Sequence, residues 1–165
     1  MVRISEITST PITASSAAIT SKITEKIRSF LATAQDTEAD APTKIAALAR
    51  FYGKEPEFRF CDADGPFHHG WGPSGGDESR SYQRWFSAVF RSGIASQRFS
   101  FTDLSVVQLG VTLLSTCRVT ADVTDQQGQT SQMELRLTFL WKPKGSDDYE
   151  ICHEHFSVKG DWVWQ

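Results

Sequence analysis

The sequence predicts an α+β fold, a cone in which three helices pack on a strongly curved, mainly antiparallel sheet. Apolar residues recur mostly at helical spacing through the first 92 positions, and after Gly93 they alternate as in strands. Helices and strands are therefore largely segregated along the chain, which argues against a parallel βαβ arrangement. In such a cone the mouth is a natural pocket.

Three segments have the spacing of amphipathic helices. Ser15 or Ser16 caps the first, Asp40 precedes the second with Pro42 in its first turn, and Asp77 caps the third. Their apolar stripes are Ile19, Ile23, Ile27, Phe30, Leu31 and Ala34; Ile45, Leu48, Ala49 and Tyr52; and Tyr82, Trp85, Phe86, Val89 and Phe90.

Strand patterns fill the remainder. A short strand is predicted at 57–62, with a second at 67–71 in a Gly- and Pro-rich loop, before the third helix. Four longer strands are predicted at 98–109, 111–124, 132–141 and 149–158. Simple alternation in the last strand places Tyr149, Ile151, His153 and His155 on one face, and Glu150, Cys152, Glu154 and Phe156 on the other.

One domain is expected over 15–158, with a flexible arm at 1–14 and a Trp-containing tail at 159–165. The 165 residues are 39% hydrophobic, which suits a single core. Their net charge of −3 includes no basic patch, so we expect no nucleic-acid partner. No apolar run approaches the roughly 20 residues that span a bilayer, and no signal-peptide pattern is present, so a cytoplasmic location without membrane attachment is expected.

Three segments resemble the nuclear transport factor 2-like superfamily, also called SnoaL-like or ketosteroid isomerase-like. They are Ala46–Phe60, which looks like the second helix and first strand of the family, His69–Trp71 before the third helix, and the ending Tyr149–Ser157. The resemblance covers about residues 15–158 and implies the cone fold. It specifies function weakly, because the superfold hosts isomerases, cyclases, dehydratases, hydrolases and non-catalytic dimerisation modules.

Asp62 is the first candidate catalytic residue. It follows an apolar strand face that includes Phe60, and burial there would suit a general acid or base. The resemblance implies a proton-shuttling Asp near this point. The alternative is an ordinary turn aspartate beside Gly and Pro.

Glu134 is the position to which the resemblance assigns the second acid of the isomerases. It alternates with apolar residues, so it could instead face away from the core. The resemblance to the isomerases implies a tyrosine in the first helix as an oxyanion donor. Here the first helix has Phe30 and no Tyr, so steroid isomerase activity is not expected.

His153 is a further candidate for acid–base chemistry, and His155 follows it at strand spacing. The pair could chelate a metal, but a stable site needs more ligands, so no metal and no cofactor are expected. The alternative is that both histidines are structural. Cys61, Cys117 and Cys152 are expected to be reduced core thiols.

Arg118 is predicted to bind ligand, since the resemblance to kinase-association members implies a pocket arginine; the alternative is a surface arginine paired with Glu134 or Asp122. The remaining predicted ligand-binding residues are aromatic: Phe60, Tyr82, Trp85, Phe86, Phe139 and Phe156.

Two functions follow from these residues. The first is binding of a small apolar molecule in the cone, with acid–base chemistry of isomerase, cyclase or dehydratase type. The second is a non-catalytic ligand-binding or dimerisation module. In either case a homodimer through the sheet is expected, because Leu114 and Leu140 lie among polar residues on the other face of the strands, and the family pairs in this way.

Overall fold

A computed structural model describes residues 12–53, 59–61, 68–69 and 94–158, and within them two helices pack against one seven-stranded sheet. The strands are β1 (Ile12–Ala14), β2 (Arg59–Cys61), β3 (His68–His69), β4 (Ile94–Leu109), β5 (Thr112–Asp125), β6 (Thr130–Lys144) and β7 (Asp148–Val158). They lie in the order β1-β4-β5-β6-β7-β2-β3, and every described pairing of named strands is antiparallel except that of β2 with β7. The α+β class and the mainly antiparallel sheet are confirmed.

Both described helices begin where the sequence supplies a capping side chain. Helix α1 (Ala17–Gln35) starts after Ser16, whose Oγ accepts a hydrogen bond from the Ile19 N–H at 3.3 Å. Helix α2 (Ala41–Leu48) starts after Asp40, whose carboxylate accepts from the Thr43 N–H at 2.8 Å, and a 3₁₀ turn (Ala49–Phe51) continues it. The predicted third helix lies outside the described residues.

The segment predicted as a flexible arm ends in an ordered strand. Residues 12–14 form β1, and Ile12 pairs with Leu109 of β4. Immediately afterwards the Ser15 N–H and hydroxyl both donate to the Val106 carbonyl oxygen. The chain is therefore already attached to the sheet before α1 begins.

The core lies between the two helices and one face of strands β5, β6 and β7, which we call the inward face; the opposite one is the outer face. The predicted apolar alternation of β5 and β6 is confirmed, with Leu113 to Val123 and Met133 to Trp141 buried at every second position. Phe30 of α1 packs edge-to-face on Phe139, with ring centroids 5.4 Å apart, and so fixes the helix over the sheet.

A bulge in β7 corrects the predicted alternation of the last strand. Leu140 of β6 pairs with His153, but the next residue, Trp141, pairs with Ile151, so Cys152 is an extra residue. Beyond it the faces are exchanged. Ile151 and Glu154 are both buried, whereas His153 and His155 lie on the outer face, the latter exposed. The prediction that the histidines share a face with Ile151 is wrong, because one inserted residue reverses the parity of a strand.

Candidate functional site

A buried carboxyl group lies on the inward face, at Glu154 of β7. The exposed fraction of this residue is 0%, and its Oε2 accepts a hydrogen bond from the Tyr52 hydroxyl at 2.5 Å. Tyr52 directly follows the 3₁₀ turn, and its own bridge to Ile151 of β7 brings its hydroxyl to the strand. A buried carboxyl group needs such donors, because desolvation without hydrogen bonds is costly.

Aromatic side chains surround this pair. The Phe30 ring lies 6.1 Å from the Tyr52 ring, and Phe139 pairs directly with Glu154 across β6 and β7. The same row of the sheet continues to Ser115 of β5, whose hydroxyl accepts from the Trp141 indole N–H at 2.8 Å. The inward face is therefore apolar apart from a few buried polar groups that hydrogen-bond to one another, Tyr52 with Glu154 and Trp141 with Ser115.

Two of the predicted ligand-binding aromatics lie on this face. Phe139 is fully buried, and Phe156, half-buried, pairs with Leu137. The backbone of Phe60 pairs with that of Glu154 through the parallel β2–β7 contact. Asp62, Tyr82, Trp85 and Phe86 lie outside the described residues.

The structure places Arg118 and Glu134 on the outer face, away from the core. The Arg118 side chain is 56% exposed; its Nε lies 3.3 Å from Asp103 Oδ2, and its Nη1 lies 3.9 Å from Glu134 Oε1. Of the two interpretations of Arg118, the structure therefore shows a surface arginine close to Glu134 and not a pocket arginine. It pairs in register with Arg136, and Asp103, at φ 54° in a bulge of β4, supplies a second carboxylate.

The His153 side chain is also directed away from Glu154. It pairs with Leu140 and is half-buried, and His155 pairs with Thr138. In the part of the chain that the structure describes, no group of three or more His, Cys, Asp or Glu side chains is placed to hold a metal ion.

The inclusion of Glu154 among the candidate residues comes from the structure. One signal was available in the sequence, since alternation placed Glu154 on the same face as Phe156 and this pairing of faces is correct. The local sequence pattern placed Tyr52 in the apolar stripe of the second helix and gave no sign that its hydroxyl has a specific partner. The contact spans 102 residues of sequence and needs the complete sheet.

No family model and no curated protein matches this chain. Solved structures do. One is a nuclear transport factor 2-like superfamily protein from Salmonella enterica, with TM-score 0.69 and 16% identity over 89% of this chain and 95% of that one. A second is a protein of the same type and of unknown function from Pseudomonas putida, with TM-score 0.63 and 18% identity over 88% and 90%. A third is a hexachlorocyclohexane dehydrochlorinase, LinA type 2, with TM-score 0.66 and 10% identity over 87% and 86%.

These similarities show that the chain has the nuclear transport factor 2-like fold, as the sequence motifs implied. The similar structures include an enzyme and a protein of unknown function. The fold by itself therefore does not determine whether a protein that has it is catalytic. None of the helices described is both long and apolar enough to cross a membrane.

Proposed function

We propose that this protein binds a small apolar molecule on the inward face of the sheet and carries out acid–base chemistry on it, of isomerase, cyclase or dehydratase type. The observation that carries the proposal is the Glu154 carboxyl group, which is fully buried among aromatic rings and hydrogen-bonded to Tyr52. A buried ionisable group with a specific hydrogen-bond partner is a functional-site candidate, because such groups cluster at functional sites.

Asp62 is the proposed second acid–base group. Strand β2 runs parallel to β7 with Phe60 opposite Glu154 and Cys61 opposite His155, and Asp62 is the next residue along the chain. In this proposal Asp62 moves a proton of the substrate. The Glu154 carboxyl group, in its protonated form and held by the hydrogen bond that its Oε2 accepts from Tyr52, donates its own O–H to an oxygen on which negative charge develops. Substrates of the proposed class therefore have an apolar body and one carbonyl or hydroxyl group.

The hexachlorocyclohexane dehydrochlorinase of similar structure supports the proposal, because dehydrochlorination is an elimination from a small halogenated hydrocarbon. That chemistry is the removal of a proton and a leaving group, which acid–base residues in an apolar pocket perform.

Native mass spectrometry of the protein purified from its source tests the binding step, and we expect a co-purified small molecule. Once that compound is known, turnover is compared among wild type, Asp62→Asn and Glu154→Gln, with Glu134→Gln on the outer face as the matched control. Both site variants should lose turnover by about 100-fold or more while Asp62→Asn still binds, and the control should not change. Full turnover in Asp62→Asn would refute the acid–base role of Asp62. An equal loss of turnover in Glu134→Gln would refute the location of the site on the inward face.

A second candidate function, a dimerisation module, is favoured by the composition of the outer face. Leu114 and Leu140 are half-buried there and pair with each other among Thr116, Thr120, Arg136 and Thr138. Such mixed composition fits a subunit interface. Light scattering should give a mass of twice the 18.4 kDa of one chain for wild type, and the mass of one chain for Leu140→Glu. Val111→Glu, at a residue 77% exposed in the β4–β5 turn, is the control that should leave the mass unchanged. A monomer at all concentrations would rule the dimer out.

A further inference from the structure

A groove of about 580 Å³ lies at the end of the sheet where β5 turns into β6, against the C-terminus of α1. The residues that line it in the described part of the chain are polar, among them Gln35, Ser96, Gln97, Arg98, Asp122, Thr124 and Thr130. A volume of this size is in the range of small-molecule sites, but the lining differs from that of an apolar pocket. The groove is distinct from the inward site, because neither Tyr52 nor Glu154 is among the described residues that line it.

Two glutamine amides in the groove are each fixed at one end by the main chain. Gln35 Oε1 accepts a hydrogen bond from the Phe99 N–H at 2.9 Å, and Gln97 Nε2 donates to the Ala34 carbonyl oxygen at 2.7 Å. Their other ends, a Gln35 NH₂ donor and a Gln97 carbonyl acceptor, are therefore held in place beside the groove. A ligand would meet an oriented donor and an oriented acceptor without ordering either side chain.

Hydroxyl groups and one pair of opposite charges complete the lining. Ser96, Thr124 and Thr130 form a row across β4, β5 and β6, and the two threonine hydroxyls lie 3.0 Å apart. In the next row on the same face of the sheet, Arg98 pairs in register with Asp122. The Asp122 Oδ1 accepts a hydrogen bond from Gln132 Nε2 at 2.8 Å. No ion pair joins Arg98 to any carboxylate in the described part of the chain, although Asp122 is its direct neighbour.

We propose that this groove binds a neutral polyhydroxylated molecule, of the size of a monosaccharide or a cyclic polyol. The described lining supplies both donors and acceptors, and a ligand whose every hydroxyl both donates and accepts can satisfy both kinds. Asp122 disfavours an anion and Arg98 disfavours a cation, and the polar side chains that the described residues contribute to the lining favour a polar ligand over a hydrophobic one. None of the described lining residues is aromatic, so stacking from them adds nothing and we expect an affinity on the order of millimolar.

The test is an NMR titration of the isotope-labelled full chain with glucose and, separately, with myo-inositol. We expect saturable shifts confined to the backbone amides of the groove, Gln97, Arg98 and Thr124 among them. Thr124→Val should weaken binding about fivefold through loss of one hydrogen-bonding hydroxyl. Thr116→Val changes the same residue type on the same face of β5, four rows away, and should leave the affinity unchanged.

Shifts that rise linearly without saturation, or that occur outside the groove, would overturn the proposal, as would equal affinities of wild type and Thr124→Val. Should Thr124→Val fail to fold, Arg98→Gln provides the same test, because Arg98 is exposed and makes no ion pair in the described structure. The result is independent of the proposed acid–base function, since a sugar would not compete with an apolar molecule on the inward face.

Discussion

The Tyr52 hydroxyl donates a hydrogen bond to Glu154 Oε2 across 2.5 Å, and it thereby joins the end of the helical half of the chain to its last strand. Both residues are fully buried. The pair thus has two consequences, one for the proposed chemistry and one for the stability of the fold.

Removal of the Tyr52 hydroxyl should destabilise the protein. Tyr52→Phe leaves the buried Glu154 carboxyl group without one of its donors, and we expect the free energy of unfolding in urea to fall by about 1.5–3 kcal/mol. Tyr149→Phe is the matched control, because Tyr149 is half-buried and its hydroxyl makes no hydrogen bond within the described residues. Equal losses in the two variants would show that the hydroxyl contact adds no stability.

Arg118→Met should leave binding at the inward face intact. The Arg118 guanidinium lies on the outer face with Asp103 and Glu134, so no ligand on the inward face can reach it. We expect the affinity for the co-purified compound to change by less than about twofold, and stability by less than about 0.5 kcal/mol, since the pair is exposed. A loss of affinity of tenfold or more would restore the original prediction that Arg118 binds ligand.

Asp40 should give α2 a stability that depends on pH. The hydrogen bonds from Thr43 hold the pKa of the Asp40 carboxyl below its ordinary value of 3.8. Because the pKa is lower in the folded state, the contribution of Asp40 to the stability of the fold is complete above its ordinary pKa of 3.8. That contribution is lost as the pH falls through the lower, folded-state pKa. The stability difference between wild type and Asp40→Asn should therefore be constant near neutral pH and shrink below pH 3.8. A difference that does not change with pH would exclude a cap by the charged carboxylate.

Cys117 should resist alkylation in the folded protein. Its burial on the inward face raises the pKa of the thiol from 9.0 to about 11, so little thiolate forms at pH 8. Cys152, in the β7 bulge and only half-buried, should react with iodoacetamide faster. Peptide mapping by mass spectrometry measures the two rates separately, and equal rates would contradict the burial of Cys117.

The sequence was sufficient to predict the parts of the fold that depend on local patterns. The caps Ser16 and Asp40 place both described helices, and the strict alternation of β5 and β6 identifies their buried faces. Other elements depend on contacts between segments that are distant in sequence. Strand β1 has only three residues and no periodicity, and it exists because Leu109 and its neighbours in β4 offer an edge to pair with.

The candidate site was less predictable for the same reason. Alternation grouped Glu154 with Phe156 correctly, but an extra residue at Cys152 cannot be recognised from a run of strand-forming residues. The predicted sites at Glu134 and Arg118 came from the family resemblance, which gives a position along a strand and not the face of the sheet.

The strand order has a consequence for how the protein folds during synthesis. Strand β2 leaves the ribosome early, yet the long strand beside it is β7, at residues 148–158 near the end of the chain. The hairpins formed by β4, β5 and β6 can assemble as they emerge, whereas β2 and the Tyr52 hydroxyl must wait for about 100 further residues. We therefore expect that truncated chains ending in β6 remain incomplete and prone to chaperone binding, and that the last strand converts them into a cooperative unit.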